Sequence, residues 1–132
     1  MFIDLFLYLC GMEKEFVTYE QALALKELGF DEPCFAYYQH DYRRVYTSII
    51  NQNTNSFWVA DGSIITAPTY SQAFRWFRDR FKLHSYIEGA YPWFRYYINS
   101  EDDRYEGHKY LTYEEAESAC IDKLIGIVKK NS

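Results

Sequence analysis

The hydrophobic and polar positions of this chain follow two periods, one typical of helices and one typical of strands. After Thr69, four aromatic residues recur at intervals of three and four and so share one sector of a helix: Tyr70, Phe74, Phe77 and Phe81. Thr69 is a suitable N-cap residue, and Gln72 stands at the third helical position as a capping box requires. The pattern predicts a helix over 69–82 that buries an aromatic stripe.

Two further segments begin in the same way. The series Thr-Tyr-x-Gln/Glu-Ala starts at Thr18, at Thr69 and at Thr112, and each occurrence predicts a capped helix. Gly29 marks the end of the first helix, and two lysines suit the negative C-terminal end of the last one. The intervals between the three starts differ, so a regular repeat is not predicted.

Short aromatic and β-branched runs between these helices predict strands. They lie at 34–39, 45–50, 57–60, 63–66, 84–88 and 93–99. Asp61-Gly62 and the segment 89–92 are expected to turn two hairpins, and the polar segment 100–109 is expected to be a solvated loop. The predicted class is therefore α+β, with antiparallel β-hairpins packed against three helices in the order α-ββ-ββ-α-ββ-α.

The length of 132 residues suits one domain, which we expect to span 12–132. The apolar start MFIDLFLYLCG is too short to cross a bilayer and carries no basic leader. Two interpretations of residues 1–11 stay open. They form either a start-site extension ahead of Met12, or an additional strand or arm that covers the core.

The composition indicates a globular protein with an excess of rings. Hydrophobic residues make up 48% of the chain and charged residues 25%, but aromatic residues reach 20%, with 14 tyrosines. The net charge of −5 repels polyanions, so general DNA binding and membrane association are not expected. Three cysteines without a paired spacing fit a reducing cytoplasm better than a disulfide framework.

Three segments resemble a known family: TYEQALALKELGFDEPCFAYY, APTYSQAFRWFRDRF and TYEEAESACIDKLIGIVKK. Together they resemble small uncharacterised proteins that phages and prophages of gut and marine bacteria encode. The similarity begins after Met12, and the resemblance therefore favours that residue as the start. It implies a phage or prophage setting and a bacterial host cytoplasm, and it brings no activity that could be assigned to any residue.

The central helix carries the most informative charge asymmetry. Residues 69–82 hold a net charge of +3, whereas the rest of the chain holds −8. Guanidinium groups beside an indole bind phosphates and stack on bases. We therefore expect a site for a small anionic ligand such as a nucleotide at Arg75, Trp76, Arg78, Arg80 and Lys82. The alternative is a solvated basic face on which Arg75 pairs with Asp79.

The strand aromatics give a second hypothesis. Alternate residues of a strand face opposite sides of its sheet, so one set of rings fills the core while the other set is exposed. An exposed set would bind a partner protein or a stacked ligand, or would form a homo-oligomer. The residues expected to form this aromatic surface are Tyr37, Trp58, Tyr86, Trp93 and Tyr96. The alternative is that they only pack the core.

No motif for catalysis, a metal or a cofactor stands out. The three histidines lie in separate segments, and the acidic residues 101–103 lack the spacing of a calcium loop. Cys34 has no neighbouring signal of an activated thiol, and no Gly-rich phosphate loop is present in the sequence.

These observations favour a non-enzymatic binding protein without a cofactor. Taken with the resemblance, they predict a phage-encoded accessory protein that counteracts a host defence system by binding a host protein or by sequestering a nucleotide signal. The alternative is a structural or assembly protein of a phage particle. An enzyme is the third interpretation, and it would need a pocket that joins Cys34 or a histidine to polar partners.

Overall fold

The computed structural model describes residues 12–39, 44–47, 54–55 and 64–132. The chain divides into two compact units, Met1–Thr69 and Tyr70–Ser132. The single domain expected over 12–132 stays a prediction. The two interpretations of residues 1–11 fall outside the described residues.

The first unit contains a short helix pair and a small sheet. A 3₁₀ helix spans Met12–Glu15 and is followed by helix α1 at Tyr19–Glu27. The strands are β1 (Ala36–Gln39), β2 (Tyr46–Thr47) and β3 (Ile64–Ala67). They form an antiparallel sheet in the order β2-β1-β3.

Local sequence explains where α1 begins and ends. The N–H of Gln21 donates to Oγ1 of Thr18 at 3.2 Å, and the N–H of Thr18 donates to Oε1 of Gln21 at 2.9 Å. This reciprocal pair is the predicted capping box, and it satisfies backbone donors that the first turn leaves open. Gly29 adopts a φ of +98° just after the helix, a conformation that glycine reaches without steric cost.

Buried hydrogen bonds hold the core of the first unit together. The hydroxyl of Tyr38 donates to the carbonyl of Val17 at 2.7 Å. The amide of Asn55 donates to the carbonyl of Phe30 at 2.8 Å, and its oxygen accepts from the N–H of Thr66 at 3.1 Å. Asn55 therefore ties the end of the α1 segment to β3.

The second unit packs helices on a larger sheet. Helix α2 spans Tyr70–Phe81 and helix α3 spans Tyr113–Asn131. Between them lie β4 (His84–Ala90), β5 (Trp93–Asn99) and β6 (Arg104–Glu106), which form an antiparallel sheet in the order β4-β5-β6. Helix α3 packs against β4 and β5, and α2 contacts α3.

The α+β class is confirmed: the described residues form three α-helices and two three-stranded antiparallel sheets. The β4-β5 hairpin is present as predicted. The predicted cap of α3 is also present, because the N–H of Glu115 donates to Oγ1 of Thr112 at 3.1 Å. The hairpin predicted at Asp61-Gly62 lies mostly outside the described residues, and its one described strand, β3, pairs with β1.

The prediction of a loop over 100–109 is wrong, because β6 lies within it. Ser100 forms a tight turn in which its Oγ accepts from the N–H of Asp103 at 3.0 Å. The turn brings the chain back along β5, where Arg104 pairs with Asn99 and Glu106 pairs with Tyr97. Three residues, two of them charged, are too few to show a strand pattern of their own. Only the long-range pairing with β5 makes this segment a strand.

The aromatic stripe of α2 is buried in part as predicted. Tyr70 and Phe77 are buried, whereas Phe74 and Phe81 are half-buried. Trp76, which the sequence places outside the stripe, is buried. The buried sector is therefore centred nearer to Ala73 than the spacing of the four rings indicates. The N-cap role of Thr69 stays a prediction.

Candidate functional site on the second sheet

The β4-β5-β6 sheet has one face toward α3. The thiol of Cys120 on α3 shares a hydrogen bond with Ser85. The ring of Phe94 meets Tyr113 edge-on at 6.0 Å, and the ammonium of Lys123 lies 5.1 Å from the ring of Tyr105. Because side chains alternate along a strand, the residues next to these three point to the opposite face.

That opposite face, here named the ring face, combines aromatic and charged side chains. Strand register sets them side by side: Tyr86 faces Tyr97, Glu88 faces Arg95, and Ala90 faces Trp93. The ring face comprises Tyr86, Glu88, Ala90, Trp93, Arg95, Tyr97, Arg104, Glu106 and Lys109. Tyr86 is 45% exposed and Trp93 is 40% exposed, which is high for rings in a sheet.

Each exposed ring has a cation beside it. Tyr86 stacks on Tyr97 with ring centroids 5.1 Å apart. The guanidinium of Arg104 lies 4.7 Å above the ring of Tyr97 and donates from Nη2 to the hydroxyl of Tyr86 at 3.3 Å. The ammonium of Lys109 lies 5.5 Å from the ring centre of Trp93. These cation–π contacts orient two cations along the same surface.

A cleft of about 220 Å³ opens on the ring face. Ala90 supplies only a methyl group opposite Trp93, and the missing side-chain volume leaves the space beside the indole. The cleft is lined by Glu88, Ala90, Trp93, Arg95, Tyr97 and Lys109. The site thus joins an aromatic wall, two cations and one carboxylate.

Arg95 combines a buried nitrogen with an exposed end at the cleft. Its Nε is buried and has no hydrogen-bond partner among the described residues. Its Nη1 lies 3.9 Å from Oε2 of Glu106, which is an ion pair but is too long for a hydrogen bond. Its side chain is 33% exposed and lines the cleft, so the end of the guanidinium is suited to hold an anionic group there.

The structure places the basic residues predicted as a ligand site on and just beyond α2. Arg75, Arg78, Arg80 and Lys82 are exposed. Arg78 forms an ion pair with Asp79 at 3.8 Å, and the guanidinium of Arg80 lies 5.7 Å from the ring centre of Phe81. Lys82, with a φ of 58°, donates from Nζ to the carbonyl of Asp79 at 3.0 Å and so closes the end of the helix. Arg78, Arg80 and Lys82 thus have local contacts within the helix segment.

Trp76 does not share that exposed surface. It is 6% exposed, and its ring meets Phe77 and Phe81 edge-on at 5.1 and 5.2 Å. The expectation that this indole stacks on a ligand beside Arg75 or Arg78 is therefore wrong, because its surface is already used in packing.

The predicted aromatic surface is only partly assembled. Tyr86 and Trp93 lie together on the ring face. Tyr96 is 7% exposed on the other face of the sheet, where its ring packs on Tyr110, and its place in an exposed surface is wrong. Tyr37 belongs to the first unit, where it is half-buried and stacks on Tyr46 at 5.8 Å. Trp58 lies outside the described residues.

Sequence reasoning missed the charged members of the ring face. Arg95 stands between predicted strand aromatics, and its alternation with Trp93 and Tyr97 was the available signal. Arg104 and Lys109 lie in the segment interpreted as a loop, so nothing in their surroundings indicated that they return to the same surface.

The thiols of the described residues do not offer nucleophilic chemistry. Cys34 and Cys120 are buried and free, and Sγ of Cys34 donates to the carbonyl of Glu32 at 3.4 Å. Burial raises the pKa of the Cys120 thiol to about 12, so the reactive thiolate is scarce at neutral pH. Within the described ranges, no three His, Cys, Asp or Glu residues group as a metal site. Nor does any described helix have the length and apolar character needed to span a membrane.

Comparison with protein-family models, with curated proteins and with solved structures found no match to this chain.

Proposed function

We propose that the protein is a non-enzymatic binding protein that uses the ring face to capture its partner. The observation that carries the proposal is the pair of exposed rings, Tyr86 and Trp93, on the same sheet face as Arg95, Arg104, Lys109 and the cleft. Exposed aromatic and arginine side chains on one rigid surface are enriched where binding energy is concentrated. The burial of both described thiols supports a binding role over nucleophilic catalysis.

The biological setting of this proposal follows from the family resemblance. We propose that the protein acts in the bacterial cytoplasm as a phage-encoded accessory protein that counteracts a host defence system. Its partner is a host protein or a small anionic ligand such as a nucleotide. The mixed charge of the ring face suits both, since Glu88 and Glu106 stand among the three cations.

Native mass spectrometry of the untagged protein from bacteria, followed by pull-down from a host lysate, tests this function. The informative variant is Tyr86→Ser with Trp93→Ser, which removes both exposed rings. The matched control is Tyr91→Ser, because Tyr91 is 99% exposed at the turn of the same hairpin but does not line the cleft. We expect the double variant to lose a retained ligand or host protein that the control keeps.

Two results would count against the proposal. Retention of the same partner by the double variant would show that the ring face is not the binding surface. Large symmetric assemblies that carry neither ligand nor host protein would instead favour a structural or assembly role in a phage particle.

A further inference from the structure

We propose that the cleft on the ring face binds a small monoanion built on a planar ring, with the ring against Trp93 and the anionic group held by Arg95 and Lys109. This inference rests on the proposed function and names the ligand chemistry of the same surface. It assigns the site to the second sheet, whereas the sequence placed an anion site on helix α2.

The aromatic half of the site follows from the space beside Trp93. The indole is 40% exposed, and Ala90 directly opposite contributes only a methyl group. Tyr97 is the second aromatic residue that lines the cleft. A flat ligand ring that fills this space contacts the indole without displacing any core side chain. Stacking on the indole adds affinity for many kinds of planar ring, because each has an aromatic face.

The anionic half follows from the guanidinium of Arg95, which lines the cleft. Its side chain is 33% exposed, and its Nη1 lies 3.9 Å from Oε2 of Glu106, which is too far for a hydrogen bond. Lys109 brings a second cation to the rim of the same cleft, where its ammonium lies over Trp93. An anion between these two groups would accept charge-assisted hydrogen bonds from the exposed end of the guanidinium and from the ammonium.

The charge and volume of the cleft limit the ligand. The ring face carries three cations, Arg95, Arg104 and Lys109, and two carboxylates, Glu88 and Glu106, so its net charge is +1. This charge suits one negative charge on the ligand, while the carboxylates disfavour polyphosphates. The volume of about 220 Å³ is below the usual range for drug-sized ligands and accommodates one ring system with one anionic group. Such a ligand is either an aromatic carboxylate or a nucleotide with a phosphodiester.

Isothermal titration calorimetry on the full chain with small probes tests the inference. Indole-3-acetate is the ring carboxylate, and 3′,5′-cyclic AMP is the ring phosphodiester. Adenosine supplies the ring without charge, and dimethyl phosphate supplies the charge without a ring. We expect at least one ring monoanion to bind about tenfold or more tighter than adenosine or dimethyl phosphate. The tighter of the two ring monoanions shows whether the site prefers a carboxylate or a phosphodiester.

Variants then locate the bound probe. Trp93→Leu and Arg95→Met should each weaken binding of the better ring monoanion by about tenfold or more. Lys109→Met should also weaken it, and this exposed residue can be replaced without disturbing the core. The matched controls are Tyr91→Leu on the same hairpin and Arg78→Met on α2, both of which should bind as the unmodified chain does.

The inference is overturned if neither ring monoanion binds more tightly than adenosine and dimethyl phosphate. It is also overturned if Lys109→Met and Trp93→Leu bind like the unmodified chain, or if Arg78→Met is the variant that loses binding. Should every probe fail while a host partner still depends on Tyr86 and Trp93, the ligand chemistry is wrong and the proposed function stands.

Discussion

Asn55 shows how much one buried polar residue contributes. It is 4% exposed, and its amide group serves as donor to the carbonyl of Phe30 and as acceptor from the N–H of Thr66. Both partners are backbone groups that have to be satisfied when they are buried. A single side chain thus replaces two backbone hydrogen bonds between segments distant in sequence.

Replacing Asn55 with alanine should therefore lower the free energy of unfolding by about 2 kcal/mol, because it leaves a buried donor and a buried acceptor without partners. Urea unfolding followed by circular dichroism measures the change. Asn131→Ala is the matched control, since Asn131 is exposed at the end of α3 and its replacement should alter stability by less than about 0.5 kcal/mol. Equal effects of the two variants would show that the buried amide contributes nothing particular.

Two glycines of the second unit differ in the space that surrounds them. An added Cβ at Gly107, which follows β6, would overlap the ring of Tyr96. An added Cβ at Gly126 in the exposed side of α3 would meet no atom within 4 Å. Replacing glycine with alanine should therefore change the free energy of unfolding in opposite directions at the two sites.

Gly126→Ala should raise the free energy of unfolding by roughly 0.5 to 1 kcal/mol, because alanine loses less backbone entropy in a helix interior. Gly107→Ala should lower it by about 1 to 3 kcal/mol, because the ring of Tyr96 is buried and has to shift. Thermal melting of both variants beside the unmodified chain measures the pair. A stabilising Gly107→Ala would contradict the close contact with Tyr96.

Elements that depend on local signals could be predicted from the sequence. The helix starts after Thr18 and Thr112 follow from capping side chains within one turn, and the β4-β5 hairpin follows from rings on either side of a short turn. The strand β6 could not be predicted, because its pairing with β5 depends on where the Ser100 turn directs the chain.

The candidate site was harder to predict for the same reason. Tyr86 and Trp93 could be chosen as strand aromatics, but the cations beside them reach the ring face only through the register of three strands. Trp76 was misplaced because helical periodicity gives the angular order of the side chains and leaves open which sector the rest of the unit covers.

At the scale of the whole molecule, charge is unevenly distributed along the chain. The net −5 arises entirely within residues 1–69, because residues 70–132 hold ten basic and ten acidic side chains. The ring face, with its mixed positive and negative charges, therefore lies on a unit without net charge in a protein that is acidic as a whole. That unit also holds the groups whose burial raises their pKa: Tyr70, Tyr96, Tyr113 and Cys120.

These groups share one sign of pH dependence. Each is neutral when protonated, and burial raises its pKa, so the folded chain keeps a proton that the unfolded chain releases. Their contribution to stability is complete below the pKa of the unfolded chain and declines as the pH rises toward the pKa of the folded chain. For Cys120 this window extends from an ordinary thiol pKa of 9.0 to about 12.

The chain should therefore lose stability as the pH is raised above about 9, with the Cys120 thiol alone contributing a slope of up to about 1.4 kcal/mol per pH unit. Urea unfolding at a series of pH values between about 7 and 10 measures the slope. Cys120→Ala should be less stable at neutral pH, because a buried side chain is shortened. Above about pH 9, however, its free energy of unfolding should decrease less steeply with pH, because the contribution of one titrating proton is removed. Val128→Ala is the control on the same helix, since it removes buried atoms without removing a titrating group, and it should keep the full slope. An unchanged slope in Cys120→Ala would show that the thiol does not hold its proton on folding.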